Sequence, residues 1–92
     1  MIHVEESFTD ERTVLLRIEG RLDRESFPAF RAVCQRHLEA GRRVRLDMGG
    51  LNHIGQDGRE FVRSIRKRVR LQGLSEYLKL AIDEYDVKDD AR

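Results

Sequence analysis

Cysteine, proline and tryptophan are scarce in this sequence of 92 residues, which has one cysteine, one proline and no tryptophan. A lone cysteine, Cys34, cannot form a disulfide within the chain, which excludes a disulfide-stapled secreted scaffold. No apolar run approaches the ~18–20 residues that span a bilayer. The N-terminus lacks the basic segment and apolar stretch of a signal peptide. We therefore expect a cytoplasmic protein without a transmembrane segment.

The sequence also lacks an excess of charge of either sign. Lys and Arg total 18 and Asp and Glu total 17, so the formal net charge is +1. This balance disfavours a protein that binds nucleic acid over its whole surface, although it permits a local basic patch. A hydrophobic fraction of 39% suffices for a small core. The length predicts a single domain, residues 1–92, too small for an enzyme with a deep cleft.

Alternating apolar residues mark a hairpin at the start of the chain. Residues 2–8 and 13–19 are predicted strands, separated by the polar turn 9–12. In the second strand Val14, Leu16 and Ile18 fall on one face. The short turn predicts that the two strands pair antiparallel.

Helices and strands alternate after the hairpin. A first helix, capped by Asp23 or Ser26 and ended by Gly41, has one apolar arc, formed by Phe27, Phe30, Val33, Cys34, His37 and Leu38. The later predictions are a strand at 43–48, a loop at 51–58, a helix at 57–72 and a strand at 78–82. The order β-β-α-β-α-β implies parallel pairing in the strand–helix–strand units. Because the strands alternate, we predict a two-layer α/β domain whose mixed sheet carries both helices on one face.

Three stretches of the sequence resemble the STAS domain, named for sulfate transporters and anti-sigma factor antagonists. Residues 18–23 look like its strand that ends in glycine and Leu-Asp. Residues 44–51 look like its central strand, and residues 54–58 stand where the family has Ile-Asp-Ser-Ser/Thr-Gly at the start of the second helix. The likeness in order and spacing extends over about residues 2–82.

This resemblance implies a non-catalytic interaction module with a docking loop. In family members that antagonise anti-sigma factors, a kinase-like partner phosphorylates the first hydroxyl residue of that loop, and the added charge blocks docking. The position is Gln56 here, the next is Asp57, and the family's preceding Asp is Gly55. We therefore predict no phosphorylation site. Asp57 either imitates a permanently modified loop or caps the helix.

The resemblance further implies that residues 52–58 and the exposed side of helix 57–72 bind a protein. An anti-sigma factor of the kinase-like type is one expected partner, and the ATPase of a lipid-transport complex is another. The predicted partner-binding residues are Asp23, Asp47, Asn52, His53, Gln56, Asp57, Gly58, Arg59, Arg63 and Arg66.

Basic residues are concentrated in the second predicted helix. Between residues 59 and 70, six bases and one acid give a net charge of +5. Spacings of four, three and four predict a stripe of Arg59, Arg63, Arg66 and Arg70 on the helix. The alternative function is binding of nucleic acid or an anionic surface through this helix. Nucleic acid is disfavoured because no aromatic side chain interleaves the stripe.

No constellation of catalytic or metal-binding residues is evident. His3, His37 and His53 are far apart and lack ligand spacing, and His37 is predicted to be a core histidine. Asp23 and Asp47 are both expected near the Gln56 loop, where they either bind a cation or a base or form capping and loop hydrogen bonds. We predict no enzyme activity, no cofactor and no metal.

Residues 83–92 are predicted to be an acidic tail. Five acids against two bases give this segment a net charge of −3. STAS domains usually have a further helix after the last strand. We predict that this sequence lacks that helix. Loss of that helix would expose the edge of the core, which would favour a homodimer. The alternative, which we prefer, is that these residues form a solvated tail that leaves the core covered.

Overall fold

The computed structural model describes residues 1–90, with the backbone alone over residues 84–90. The elements in chain order are β1 (Ile2–Asp10), β2 (Thr13–Leu22), α1 (Phe27–Glu39), β3 (Arg43–Ile54), α2 (Gln56–Ile65), β4 (Val69–Gln72) and α3 (Glu76–Asp90). The sheet order is β1-β2-β3-β4; the first pair is antiparallel and the other two pairs are parallel. The predicted two-layer α/β fold with a mixed sheet is confirmed.

The predicted hairpin and first helix are confirmed. Val14, Leu16 and Ile18 are fully buried on the face of β2 that points to the helices. Helix α1 starts at Phe27, with Pro28 in its first turn, where the missing N–H costs nothing. Phe30, Cys34 and His37 from its apolar arc are buried. The alternation of apolar residues in β2 and the apolar arc of α1 therefore correctly predicted which residues of the first half of the chain lie in the core.

Strand β3 is longer than predicted. It runs to Ile54 and still pairs with β2 there, through Leu22 and Ile54. The predicted break at Gly49 and Gly50 and the predicted loop at 51–58 are wrong. A Cβ at position 50 would collide with the Glu19 side chain on β2, so the glycine permits the close approach of two strands.

The prediction of one helix over 57–72 is also wrong. Helix α2 ends at Ile65, and residues 69–72 form β4, which pairs with β3 through Val44–Val69 and Leu46–Leu71. Val69 lies at helical spacing from Ile65, but it also alternates with Arg70 and so fits a strand. Residues 69–72 form a strand because they pair with the edge of β3.

The predicted last strand, 78–82, lies within helix α3. Leu78 and Ile82, four residues apart, are buried, whereas Leu80 is 62% exposed, as a helix requires. The predicted absence of a C-terminal helix is therefore wrong, and backbone positions 83–90 of the predicted tail continue α3. Residues 91–92 lie outside the described residues. With α3 in place, the argument for a homodimer from an exposed core edge loses its premise.

One hydrophobic cluster joins the sheet to all three helices. Phe30 of α1, Val62 of α2 and Leu78 of α3 belong to the same buried cluster as Leu16 and Leu46 of the sheet. The helices therefore share one face of the sheet, as predicted. In the part of the chain that the structure describes, no helix is long and apolar enough to cross a membrane.

His37 is a satisfied core histidine, as predicted. Its Nε2 lies 2.7 Å from Glu6 Oε1, and Arg42 Nη1 lies 2.9 Å from its Nδ1. Because a guanidinium group only donates, Nδ1 must accept and Nε2 must carry the hydrogen that it donates to Glu6. Arg36 donates two further hydrogen bonds to Glu6. This network fastens β1 to α1.

We expect this network to make stability depend on acid pH. The hydrogen bonds from His37 and Arg36 hold the pKa of Glu6 below its usual value of 4.5. A carboxyl whose folded pKa is depressed stabilises the protein above its unfolded pKa, and that stability is lost as the pH falls through the folded pKa. Urea unfolding between about pH 6 and pH 3 should show a smaller loss of stability in Glu6→Gln than in the wild type. Parallel pH curves for the two proteins would contradict the role given to Glu6.

Candidate functional site

The candidate site is the junction where β3 passes into α2 through a single residue. Gly55 is the N-cap of α2, in extended conformation, so Gln56 already belongs to the helix. Gly58 is buried, and a Cβ there would lie 2.9 Å from Leu22 Cδ2 and 3.1 Å from Ile54 Cγ1. The glycine therefore lets the first turn of α2 pack on the ends of β2 and β3. Gln56 and Asp57 in that turn are exposed.

A small pocket of about 200 Å³ opens beside this turn. Five of the predicted site residues line it together with Arg24, which the sequence analysis did not identify: Asp23, His53, Gln56, Asp57 and Gly58. Arg24 follows Asp23 directly, so the strand–helix connection after β2 brings it to the pocket. The parallel pairing of β2 and β3 thus gathers residues that are more than thirty positions apart.

Asp23 has a structural role in the turn before α1. Its Oδ1 accepts a hydrogen bond of 3.0 Å from the Ser26 N–H, and Ser26 Oγ accepts one of 3.0 Å from the Asp23 N–H. The Ser26 bonds hold the pKa of Asp23 below its usual value. The prediction that Asp23 forms loop hydrogen bonds is confirmed, but Asp23 does not cap α1, because the N-cap is Ser26 and no side chain caps the helix.

Asp57 does not cap α2, because the N-cap position is Gly55. It lies in the first turn instead, where a negative charge interacts favourably with the positive end of the helix dipole. Its exposed carboxylate remains available to a partner. The N-cap alternative for Asp57 is therefore wrong, and the effect of its fixed charge on docking is untested.

The predicted arginine stripe does not exist. Arg59 Nη1 donates to the Ile54 carbonyl oxygen at 3.2 Å, so this guanidinium turns back to the end of β3. Arg63 is half-buried, and Arg66, the C-cap of α2, pairs with Asp83 of α3 at 3.3 Å. Arg70 lies on β4. The stripe fails because it required a helix through residue 70.

Asp47 lies far from the Gln56 turn. Its Oδ1 accepts a hydrogen bond of 3.0 Å from the Gly49 N–H, and its Oδ2 is 3.7 Å from Arg17 Nε on the open face of the sheet. Strand β3 continues to Ile54, which at ~3.3 Å per residue adds roughly 20 Å. The prediction that Asp47 approaches the loop is wrong for that reason. Asn52 is exposed near the end of β3 and does not line the pocket.

A second concave surface, the α1–α2 groove, was missed by the sequence analysis. It has a volume of about 600 Å³, and its apolar lining consists of Phe27, Leu38, Phe61 and Ile65. The rings of Phe27 and Phe61 meet edge to face with centroids 5.8 Å apart. Asp57 lines both this groove and the small pocket. The available signal was that Phe27, Leu38 and Phe61 stand at the edges of two predicted apolar arcs.

Among the described residues, no three His, Cys, Asp or Glu side chains gather in a way that would hold a metal ion. Cys34 is buried in the core, and burial raises the pKa of its thiol to about 12, so it is a poor nucleophile.

The comparisons agree with the resemblance noted in the sequence. A family model described as STAS domain matches residues 6–80, from β1 into α3. Domains of this family mediate protein interactions and are generally non-catalytic regulatory modules. No match was found among curated proteins.

Proposed function

The chain belongs to the STAS domain family, and from this membership we propose that it is a non-catalytic cytoplasmic module that docks on a protein partner through the first turn of α2. The observation that carries the proposal is the position of Asp57 on the shared rim of the small pocket and the α1–α2 groove. A partner that contacts the exposed Gln56 and Asp57 would reach an apolar floor and a polar rim at once, the usual composition of a docking surface.

We propose further that docking resembles that of anti-sigma factor antagonists in bacterial-type transcription regulation, but without a phosphorylation switch. Residues 52–58 contain no serine, threonine or tyrosine. Asp57 supplies a constant charge of about half that of a phosphate. The partner is a kinase-like anti-sigma factor; the ATPase of a lipid-transport complex is the other partner class to test.

Binding of nucleic acid through the second helix has less support. It depended on a continuous stripe of exposed guanidinium groups, and Arg59 and Arg66 are hydrogen-bonded within the chain. We therefore do not assign this function to α2.

Charge reversal at Asp57 is the direct test. Anti-sigma factor kinases and lipid-transport ATPases from the same genome would be purified and titrated with the wild type and with Asp57→Lys by calorimetry. We expect one of them to bind the wild type and Asp57→Lys to weaken that binding by about tenfold or more, because an interfacial charge changes sign. Glu11→Lys, an exposed acid in the β1–β2 turn, is the matched control and should change affinity less than about twofold.

Asp57→Ser separates the two roles that remain for this carboxylate. Tighter binding of the serine variant would mean that Asp57 imitates the phosphorylated, undocked state, and Asp57→Lys would then bind more tightly as well, against the expected weakening. Weaker binding would mean that the carboxylate contacts the partner directly. Unchanged affinity in both Asp57 variants, for every partner that binds the wild type, would contradict docking at this turn.

A further inference from the structure

A groove with a strongly basic lining lies at the end of the sheet opposite the Gln56 turn. Its volume is about 600 Å³, and six of its nine lining residues are cationic: Arg42, Arg43, Arg45, Lys67, Arg68 and Arg70. The other three lining residues are neutral. From this groove we infer a second docking surface, which binds an acidic segment of a protein partner through its carboxylates.

Two of the arginines are held in place by neighbouring side chains. Arg45 donates from Nε and Nη2 to Gln72 Oε1, at 3.2 and 3.0 Å. Arg42 donates to His37 Nδ1, and its guanidinium carbon lies 5.2 Å from the centre of the Phe8 ring. Ordering these side chains before binding removes part of the entropy cost that a flexible arginine would incur.

The other four cations are exposed. Asp10 of the β1–β2 hairpin interacts with one of them: its pKa is lowered chiefly by the hydrogen bond from the Arg12 backbone N–H and to a smaller extent by the charge of Arg43. None of the nine lining residues is acidic, so positive charge is concentrated in the groove even though the net charge of the chain is only +1. Low-dielectric walls strengthen such a local field.

A protein segment suits this groove better than a nucleic acid or a membrane. No lining residue is aromatic, and the Arg42 guanidinium already lies over the neighbouring Phe8 ring, so base stacking is disfavoured. The apolar lining residues, Val44 and Val69, are buried or half-buried and offer nothing to insert into a bilayer. Arginine pairs with carboxylates through two parallel hydrogen bonds, and a concave site with six cations can meet several carboxylates of an extended acidic chain.

This second surface lies away from the proposed docking turn, although Arg68 lines both the basic groove and the α1–α2 groove. The basic groove involves the first residues of β3, and the turn follows its last residue, roughly 30 Å along the strand. Lys67 and Arg70 line the groove and not the α1–α2 groove. A variant at these two positions therefore tests one surface without altering the other.

The test uses a fluorescent, end-blocked peptide of six glutamates, titrated into the full chain at 50 mM and 200 mM salt. We expect the wild type to bind the peptide, more weakly at the higher salt, and Lys67→Glu/Arg70→Glu to reduce the affinity about tenfold or more. Lys67→Gln/Arg70→Gln should show a smaller loss and serves as the milder variant if charge reversal disturbs folding. The matched control is Arg21→Glu/Lys79→Glu, which changes the net charge equally at exposed positions outside the groove.

Two further probes distinguish the ligand classes. A 20-base-pair duplex DNA and phosphatidylserine vesicles would be titrated under the same conditions. Preferential binding of the peptide, with a loss confined to the groove variants, would support the inference. It would be overturned if both charge-reversed proteins lost affinity equally, if DNA or vesicles bound more tightly than the peptide, or if the peptide did not bind at 50 mM salt.

Discussion

Replacing Leu78 by alanine should lower the free energy of unfolding by about 2–5 kcal/mol, the cost of emptying a well-packed leucine site. Leu78 is fully buried in the cluster that joins the helices to the sheet. It anchors α3 against that cluster together with Ile82, four residues later. Urea unfolding at neutral pH measures the effect.

Leu80→Ala is the matched control, because it deletes the same atoms two positions away. Leu80 is 62% exposed, so its truncation should change stability by no more than about 0.5 kcal/mol. If residues 78–82 formed a strand, Leu78 and Leu80 would share a face and the two substitutions would cost similar amounts. Similar losses would therefore contradict α3, and a large difference would support it.

This ambiguity of period explains which elements were predictable from the sequence. In β2 and the first part of β3, apolar and polar residues alternate cleanly, and the burial of Val14, Leu16 and Leu46 follows. In the last third of the chain the apolar residues are few, and Leu78, Leu80 and Ile82 satisfy both a helix and a strand. The choice between helix and strand depends there on packing. Strand β4 pairs with the free edge of β3, and α3 packs against the hydrophobic core.

The candidate site was predictable at the end of β2, and not where it depended on the end of β3 or on the length of α2. The resemblance to the family placed His53, Gln56 and Asp57 in one docking loop, and the position of Asp23 at a strand end placed it nearby. The parallel pairing of β2 and β3 brings these residues around one pocket. The arginines could not be placed without knowing that α2 ends at Ile65. Two turns of helix fewer move Arg70 from the predicted stripe into the basic groove.

Gly73→Ala should be among the most destabilising substitutions outside the core, at about 2–5 kcal/mol. Gly73 follows β4 with a φ of +71°, a conformation that costs an alanine about 1–2 kcal/mol. Its added Cβ would also overlap Asp47 Oδ1 and lie 2.9 Å from the Gly49 backbone nitrogen, and such crowding costs about 1–3 kcal/mol more. Chemical unfolding of the variant measures the sum.

Gly41→Ala isolates the backbone contribution. Gly41 has a similar φ of +77°, but a Cβ there would meet nothing within 4 Å, so only the cost of about 1–2 kcal/mol should appear. The excess loss at Gly73 then measures the crowding. Adding Asp47→Ala to the Gly73→Ala variant removes one of the two crowded contacts. We expect it to reduce the excess loss of stability only in part, because the contact between the new Cβ and the backbone nitrogen of Gly49 remains. Equal losses at Gly41 and Gly73 would show that the turn gives way, and Asp47 would then have no fixed place on the open face of the sheet.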